Sequence, residues 1–536
     1  MAKMTGAQAL VASLGAEGVE VVFGIPGRHA LPIYNVLRDQ QTIRSIVTRH
    51  EQGAAFMADG YARVTGKPGV CIATTGPGAT NTITSIAGAY ADSSPLLVIT
   101  TQIPSSFIGK AKGVDHELKD QLALFEGITK WNKRINYVED IPRHVHEALR
   151  QISIGRPGPV LLEIPVDILE IVGDVEILAA ERYERKRGDV RRIAEAVRCL
   201  IKAKAPVIWA GGGAVSSGAT EELVHLSEIL QAPVVTTTMG KGAVPNDHLL
   251  SIGSLSSEAA IQAFLDQCDV MLAVGTRFKG RATRDWSLRL PQQLIHIDID
   301  QSEIGKNYSA GIGIVGDAGE TLREILQCVR SNLREPRRSR VREVKALKEQ
   351  IYRELETWAA NELQILDDIR ESLDRDAIVV NDIALCTNWA RRYFEVYEPR
   401  TFLFPDGFGS LGFSLPAGIG AKIAYPNRQV VVLCGDGGFM FSCQELATAV
   451  RYGANIAVMV FNDNCFGAIK YLQDKWFGGR HTGINLINPD FVEFAKSFGA
   501  GAFRVGSLQD LRPTLDRALR LEKPVIIEVP VELQHP

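Results

Sequence analysis

The feature that most restricts the fold is an alternation of short apolar, often β-branched runs with helix-patterned stretches, sharpest between Val430 and Gly467. Val430-Val-Val-Leu433 is halted by Gly435-Asp436-Gly437, and Ile456-Ala-Val-Met-Val-Phe461 by Asn462-Asp463-Asn464. Between them, Phe441 to Tyr452 carries apolar positions at helical spacing, so the unit reads strand, loop, helix, strand, loop. Strands joined by a helical crossover run parallel. Both loops then emerge on one edge, where open α/β sheets bind ligands.

Asp436 and Asp463 therefore become neighbours on that edge, together with the carbonyl groups of their loops. Such hard oxygen donors suit magnesium or calcium. A small octahedral cation held by few protein carboxylates completes its shell with a ligand's phosphates and water, and Gly437 and Gly438 allow backbone N–H groups to come close to those phosphates. The alternative is that both are ordinary turn aspartates at strand ends. The spacing of the pair favours the metal.

At 536 residues the chain exceeds a single core, and at about 100–200 residues per domain it predicts three domains. Charged residues are 23% and the formal net charge is −3, so neither nucleic acid nor an anionic membrane is an expected partner. The eight cysteines are scattered without a Cys-x-x-Cys pair, as in a reducing cytosol. The first residues lead into an amphipathic stretch, and no window approaches about 18 uninterrupted apolar residues. Neither a signal peptide nor a membrane span is expected, and the expected location is cytoplasmic.

Apolar runs at Val19–Phe23, Ser45–Thr48, Gly69–Thr74, Leu96–Thr100 and Pro159–Ile164 alternate with helical patterns in the first block. The polar stretch 179–188 reads as a linker. A second block has strands expected at Pro206–Ala210, Pro233–Thr236, Asp269–Val274 and Leu294–Asp298. Arg334-Glu-Pro-Arg-Arg-Ser-Arg-Val-Arg-Glu343 reads as a solvated linker into a helix that ends near Ala359. The expected fold class is α/β, with three doubly wound parallel-sheet domains at 1–178, 189–333 and 360–536.

A second constellation lies in the first block, Thr48-Arg-His-Glu-Gln-Gly-Ala-Ala-Phe-Met-Ala-Asp-Gly-Tyr-Ala-Arg63. Glu51 follows a strand and opens a helix whose Ala54, Ala55, Ala58 and Ala62 are small enough for another helix to pack closely. A carboxylate there can simply compensate the helix dipole. It is followed, however, by Thr74-Thr-Gly-Pro-Gly-Ala-Thr-Asn81, a glycine-rich loop on the same expected edge.

Taken together, the two constellations resemble the thiamine-diphosphate-dependent 2-oxoacid decarboxylase and acetolactate synthase superfamily along essentially the whole chain. The resemblance implies a pyrimidine-binding first domain, a central domain and a diphosphate-binding third domain. It makes Glu51 the catalytic glutamate that hydrogen-bonds the cofactor's far ring nitrogen, so that the ring's amine becomes a base for a very weakly acidic carbon. It assigns Thr75, Gly76, Gly435, Gly437 and Gly438 to the cofactor, and Asp436, Asp463 and the Cys465 carbonyl to Mg²⁺. Gly409-Ser-Leu411-Gly412 matches the loop whose bulky residue props the cofactor in a V shape. His29 and Asp120-Gln121 resemble catalytic positions of benzaldehyde-lyase-like members.

The chain also departs from the family pattern. Asp463 stands where many relatives carry asparagine. Leu385-Cys386-Thr387 replaces the Gln-His-Gln of acetolactate synthases, which leaves Cys386 and Thr387 as candidate contacts, or Cys386 as a small buried hydrophobe. Arg277 and Arg281 align with a flavin-contacting arginine and an acceptor-carboxylate arginine, but Lys279 and Gly280 replace two acidic residues.

Gly211-Gly-Gly-Ala-Val215, Asp298, Asp300 and Gly316-Asp317 could hold FAD or an ADP moiety, or be ordinary loops of a vestigial nucleotide fold. A nucleotide-dependent dehydrogenase is the alternative class, but Gly211-x-Gly213 lacks the third glycine at the required offset. The expected substrates are a pyruvate-like 2-oxoacid and a carbonyl acceptor. Ligation, simple decarboxylation and benzaldehyde-lyase-like chemistry stay open as outcomes. In the family the glutamate and the diphosphate site belong to different subunits, which implies a homodimer or homotetramer.

Helical spacing after Asn464 places Ile469 and Leu472 toward the reacting carbon, or in the core. Trp476-Phe-Gly-Gly-Arg-His-Thr-Gly483 reads as a hinged lid, with Arg480 and His481 meeting a substrate carboxylate or simply solvated.

Overall fold

The computed structural model describes every residue except Arg182 and Ser257. The alternating pattern resolves into three six-stranded sheets, parallel throughout. In the first domain Val21–Gly24 pairs with Arg44–Val47 on one side and Gly69–Ala73 on the other. Leu96–Gln102, Val160–Pro165 and Trp131–Arg134 complete that sheet. The third domain repeats the arrangement with Ile378–Asn381 between Phe402–Leu403 and Val430–Gly435, followed by Ala457–Asn462, Val525–Pro530 and Gly501–Arg504. Counted in chain order within each domain, both sheets run 2-1-3-4-6-5.

The central sheet differs. Its strands Pro206–Ala210, Val234–Thr236, Ser251–Gly253, Val270–Val274, Gln293–Asp298 and Ile312–Val315 run 3-2-1-4-5-6, the order of doubly wound dinucleotide-binding sheets.

In every sheet the winding reverses beside the first strand, and there two neighbouring strands send their loops apart and leave a crevice. In the first domain the crevice lies between the loops after Gly24 and Ala73, and in the third between the loops after Asn381 and Gly435. The motif loops Thr74–Gly78 and Gly435–Gly438 therefore sit at equivalent places in the two outer domains.

Helix Glu51–Thr65 of the first domain crosses helix Ser414–Ala424 of the third at very short range. A Cβ on Gly60 would stand 2.2 Å from the Ala417 carbonyl oxygen, and one on Gly420 2.0 Å from that of Met57. Both positions therefore require glycine, and of the small residues read from the sequence Ala54, Ala55 and Ala58 share one buried cluster with Ala417 and Ala421 of the facing helix. Phe56 and Phe413 seal one side edge to face, with ring centres 5.5 Å apart.

Two expectations need correction. The stretch 441–452 is not one helix: a short helix Asp436–Met440 ends before it, and the stretch itself holds a 3-10 turn Cys443–Glu445 and a helix Leu446–Arg451. The interruption turns the Glu445 carboxylate out of the helix path and onto the first domain. The charged run 334–343 is not simply solvated either. Arg337 donates to the carbonyls of Leu200, Ile201 and Ala203 at the C-terminus of helix Val190–Lys202, and Arg340 is buried, donating to the Pro206 carbonyl at 2.7 Å. Unpaired helix-end carbonyls attract such guanidinium groups. Among the described residues no helix is long and apolar enough to cross a membrane.

Candidate active site

Parallel pairing of Leu433 with Met459 and Gly435 with Phe461 brings the ends of strands Val430–Gly435 and Ala457–Asn462 level, so Asp436 and Asp463 leave the sheet side by side. Asp436 is 1% exposed. It accepts from the Gly437 N–H at 2.8 Å and from the Asn488 amide at 2.6 Å. Burial raises its carboxyl above the usual range. Asp463 is pushed up to about 6, first by burial and then by repulsion from Asp436. Two buried carboxyls side by side, both raised by burial and one of them further by the other, form a site that a cation would relieve.

Asn488 also bridges the side chains of Asn462 and Asn464, at 3.1 and 3.2 Å, and so fixes the loop that carries Asp463 from outside the motif. The loop is further zipped to 484–486 by Phe466 N–H to the Ile484 carbonyl and Leu486 N–H to the Asn464 carbonyl. That pairing leaves the carbonyl of Cys465 itself unused. Among the described residues no group of three or more His, Cys, Asp or Glu side chains could hold a metal. The donor set is thus two carboxylates plus backbone, which fits an Mg²⁺ that takes its other ligands from phosphate and water.

A cavity of about 240 Å³ opens beside these residues. Gly409, Leu411, Cys386, Gly435, Gly437, Gly438 and Ile469 line it, all of them read from the sequence. Its loop 409–412 is pinned by Asp382, a buried carboxylate that accepts from Gly412 N–H, Ser414 N–H and the Ser414 hydroxyl at 2.8–3.2 Å. Asp382 thereby sets the position of Leu411.

Thr387 is placed differently. Its hydroxyl bonds the N–H and carbonyl of Ala384 and caps helix Leu385–Tyr393, away from the cavity wall. Leu472 does not reach the cavity either. Helix Gly467–Phe477 buries none of its residues, and His481 bonds Asp474 at 2.6 Å, so neither His481 nor Arg480 lines the cavity. Gly478, Gly479 and Gly483 all adopt left-handed backbone.

At the crevice of the first domain, Glu51 opens its helix and accepts from Asn81 at 2.9 Å. The Glu51 turn is held from the third domain. Glu445 accepts from His50 N–H at 2.9 Å, from Arg49 N–H at 3.1 Å and from the Thr448 hydroxyl at 2.6 Å.

Gly76 stands at φ +65° and donates to the Gln121 side chain at 2.7 Å. Gln121 is fully buried, its amide nitrogen shared between the Thr101 carbonyl and Glu163, so in this chain it shapes the Gly76 loop. Thr75 is likewise buried, bonded to the Thr101 hydroxyl at 3.0 Å. His29 is 6% exposed.

The cavity beside Asp436 is lined only by residues of the third domain. Among the described residues of one chain, Glu51 therefore lies outside the cavity beside Asp436.

A larger cavity, about 580 Å³, lies between the domains and includes Gly212, Gly213, Arg277 and Asp298. Its wall carries more cationic than acidic side chains, and against burial Lys279, Arg281 and Arg391 together hold the Asp406 carboxyl below its usual range. Arg391 is pushed down to about 9 by burial and by the neighbouring Arg281 and Arg392. Arg281 faces this cavity and not the smaller one.

Asn488 and Glu445 had no signal in the sequence, because each acts on residues distant in the chain. Asp382 alone, following a β-branched strand as Asp436 does, carried a local hint.

Models of thiamine pyrophosphate enzymes match all three domains: the N-terminal TPP binding domain over residues 4–124, the central domain over 193–325 and the C-terminal TPP binding domain over 382–529. The chain is 37% identical to a probable acetolactate synthase large subunit of Methanocaldococcus jannaschii, covering 99% of this chain and 92% of that one. It is 35% identical to an acetolactate synthase large subunit of Corynebacterium glutamicum, over 98% and 86% of the two chains. It is 38% identical to a probable 2-ketoarginine decarboxylase of Pseudomonas aeruginosa, over 96% and 91%. With a glutamate at one crevice, paired aspartates and a glycine cradle at the equivalent crevice, and matches along all three domains, the chain belongs to the thiamine pyrophosphate enzyme family.

Proposed function

We propose that the protein decarboxylates a pyruvate-like 2-oxoacid and joins the remaining fragment to a second carbonyl compound, as an acetolactate-synthase-like carboligase that uses thiamine diphosphate and Mg²⁺. The observation that carries this reading is the placement of Glu51 and the Asp436–Asp463 pair at equivalent crevices of two domains with the same strand order. When bound, the cofactor supplies an acidic carbon that adds to the 2-oxo group and takes up the electron pair left by CO₂.

The residues of this chain would do the rest. Asp436, Asp463 and the Cys465 carbonyl would hold the metal, and the Gly437 and Gly438 amides the diphosphate. Leu411, fixed through Asp382, would set the ring angle, and Glu51 would hold a proton at the pyrimidine. Because Glu51 lies outside the cavity beside Asp436 in one chain, the reading includes a homodimer, or a homotetramer built from two, in which each copy completes the other's site. Eight free thiols agree with a reducing, cytoplasmic setting. A flavin or ADP moiety is assigned to the interdomain cavity, on its size, its cationic wall and its dinucleotide-type strand order. A colourless holoenzyme would remove the flavin.

Simple decarboxylation is the second reading. Lys279 in place of an acid, bridging Asp92 and Asp406 at 3.2 and 3.0 Å, and the likeness to a 2-ketoarginine decarboxylase favour it. Incubation with a panel of 2-oxoacids, with products identified by mass spectrometry, decides between them: acetolactate from pyruvate supports ligation, and aldehyde alone supports the second reading. Full turnover after exhaustive EDTA treatment would refute both.

A further inference from the structure

His29 has an unexpected neighbour. It lies in the turn Arg28–Ala30 after strand Val21–Gly24, while His116 lies in the loop beyond strand Leu96–Gln102. An ion pair of 2.6 Å between Arg28 and Asp115 clips the two loops together. The residues that follow, His29 and His116, then meet edge to face, with ring centres 5.4 Å apart and planes at 77°. His116 adopts φ +69°, left-handed backbone that a residue with a side chain holds only where its surroundings impose it.

His116 packs directly on the cofactor-side loop. A Cβ on Gly76 would stand 2.6 Å from the His116 carbonyl oxygen, and a Cβ on Gly78, two residues on, 3.3 Å from Glu51 Oε1. Both Nδ1 atoms are buried without a hydrogen-bond partner among the described residues. A histidine that merely fills a core satisfies its ring nitrogens. Two unsatisfied imidazoles side by side, on strained backbone at a ligand-binding crevice, are arranged for something that binds there.

We propose that His116 is a second catalytic imidazole and that it works with His29 as an acid–base pair on the carbonyl oxygen of the bound 2-oxo compound, an assignment that rests on the function proposed above. When a carbonyl carbon is attacked, its oxygen takes one proton from an N–H of the pair. When the carbonyl re-forms at product release, that O–H bond breaks and the proton returns to the same nitrogen. On the donor carbonyl one N–H bond is broken and remade per turnover; in a ligation the proton given to the acceptor oxygen stays in the product and is replaced on the pair from water, and no oxidant or reductant is consumed. Burial, then His116 and Arg28, hold His29 below the usual histidine range against the opposing pull of Asp115, so its protonated form gives up a proton readily.

The test compares wild type with His116→Phe, which keeps the edge-to-face shape, and His116→Gln, which keeps a hydrogen-bond donor. Histidine titrations are followed by NMR in full-length protein labelled with ¹⁵N-histidine, without cofactor, beside kcat profiles against pH with cofactor. The Phe variant is expected to raise the His29 midpoint, to remove one limb of the pH profile and to lower kcat by ~10²–10⁴-fold, with the Gln variant failing to restore that limb. Unchanged kcat overturns the proposal. So does a fall in kcat with an unmoved His29 midpoint, because loop damage alone would produce it. If the Phe variant does not fold, His29→Phe supplies the reciprocal reading on the His116 midpoint. Absence of thiamine diphosphate from wild-type protein, by thiochrome assay, would overturn the proposed function instead and leave the coupling of the two rings testable.

Discussion

Glu445 is expected to govern how the third domain presents Glu51. Its buried carboxylate accepts the N–H groups of Arg49 and His50, the last residues before the Glu51 helix, although nearly 400 positions separate them in the chain. Glu445→Ala leaves both N–H groups buried without an acceptor, and a Cβ on Gly53 would already touch the Glu445 carboxylate, so the vacated volume borders the helix itself. Each orphaned donor costs about 1–3 kcal/mol, so local opening of residues 48–56 should become easier by about 2–6 kcal/mol. At 1.4 kcal/mol per decade, the lower figure corresponds to ~30-fold faster amide exchange. Glu445→Gln keeps one acceptor and should cost about half as much. Hydrogen exchange with mass spectrometry on the full-length protein reads peptides over 48–56 against control peptides in the central sheet, which should not change. Exchange in the Ala variant within about threefold of wild type would refute the view that this carboxylate holds the Glu51 turn.

Asp463 titrates near 6 and must lose its proton to bind a cation, so Mg²⁺ affinity in the presence of thiamine diphosphate should rise with pH up to about 6, by at most ~tenfold per unit, and level off above it; calorimetry at pH 5, 6 and 7.5 measures this, and a flat profile would contradict it. Its raised value also means that, without metal, the contribution of this group to stability is full below its ordinary range and lost as pH rises through about 6, so EDTA-treated protein should show a falling melting temperature over that interval. Lys241 is fully buried, donates to the Phe394 carbonyl at 2.8 Å and is pushed down to about 7 by burial. Its depressed value makes its contribution to stability grow from about pH 7 toward 10.5, so the melting temperature of wild type should rise relative to Lys241→Met between pH 7 and 9. For the lid, Gln473 pairs with both the N–H and the carbonyl of Thr482, which tethers the glycine-rich turn to its helix; amide exchange over 474–485 should slow when a non-cleavable 2-oxoacid analogue saturates the enzyme, and unchanged exchange would make it a static loop.

The sequence by itself determined the α/β class, the parallel sheets and the edge on which Glu51, Asp436 and Asp463 stand. Those properties follow from local patterns: β-branched runs, helical spacing and glycine-bearing loops are each read within a dozen residues. The weak edge strands Trp131–Arg134, Ser251–Gly253 and Ile312–Val315 escaped the same reading, because the first is mostly polar, the second is three residues long and the third is four residues interrupted by Gly313. The charged run 334–343 misled for a related reason. Its composition is that of a solvated segment, and only the free carbonyls of a helix more than a hundred residues earlier make Arg337 a cap.

Tertiary structure alone decided the strand order, and with it the crevices where the loops become sites. It also decided the supporting side chains. Asp382 fixes Leu411, Asn488 spans the Asp436 and Asp463 loops, Glu445 holds the Glu51 turn and His116 faces His29, each across a separation that no local pattern spans. The same distinction separates Ile469, which reaches the cavity, from Leu472 one turn on, which does not. Helical spacing puts the two on one face, but how that face meets the sheet depends on packing between elements distant in the chain, and that energy is not written in either segment alone.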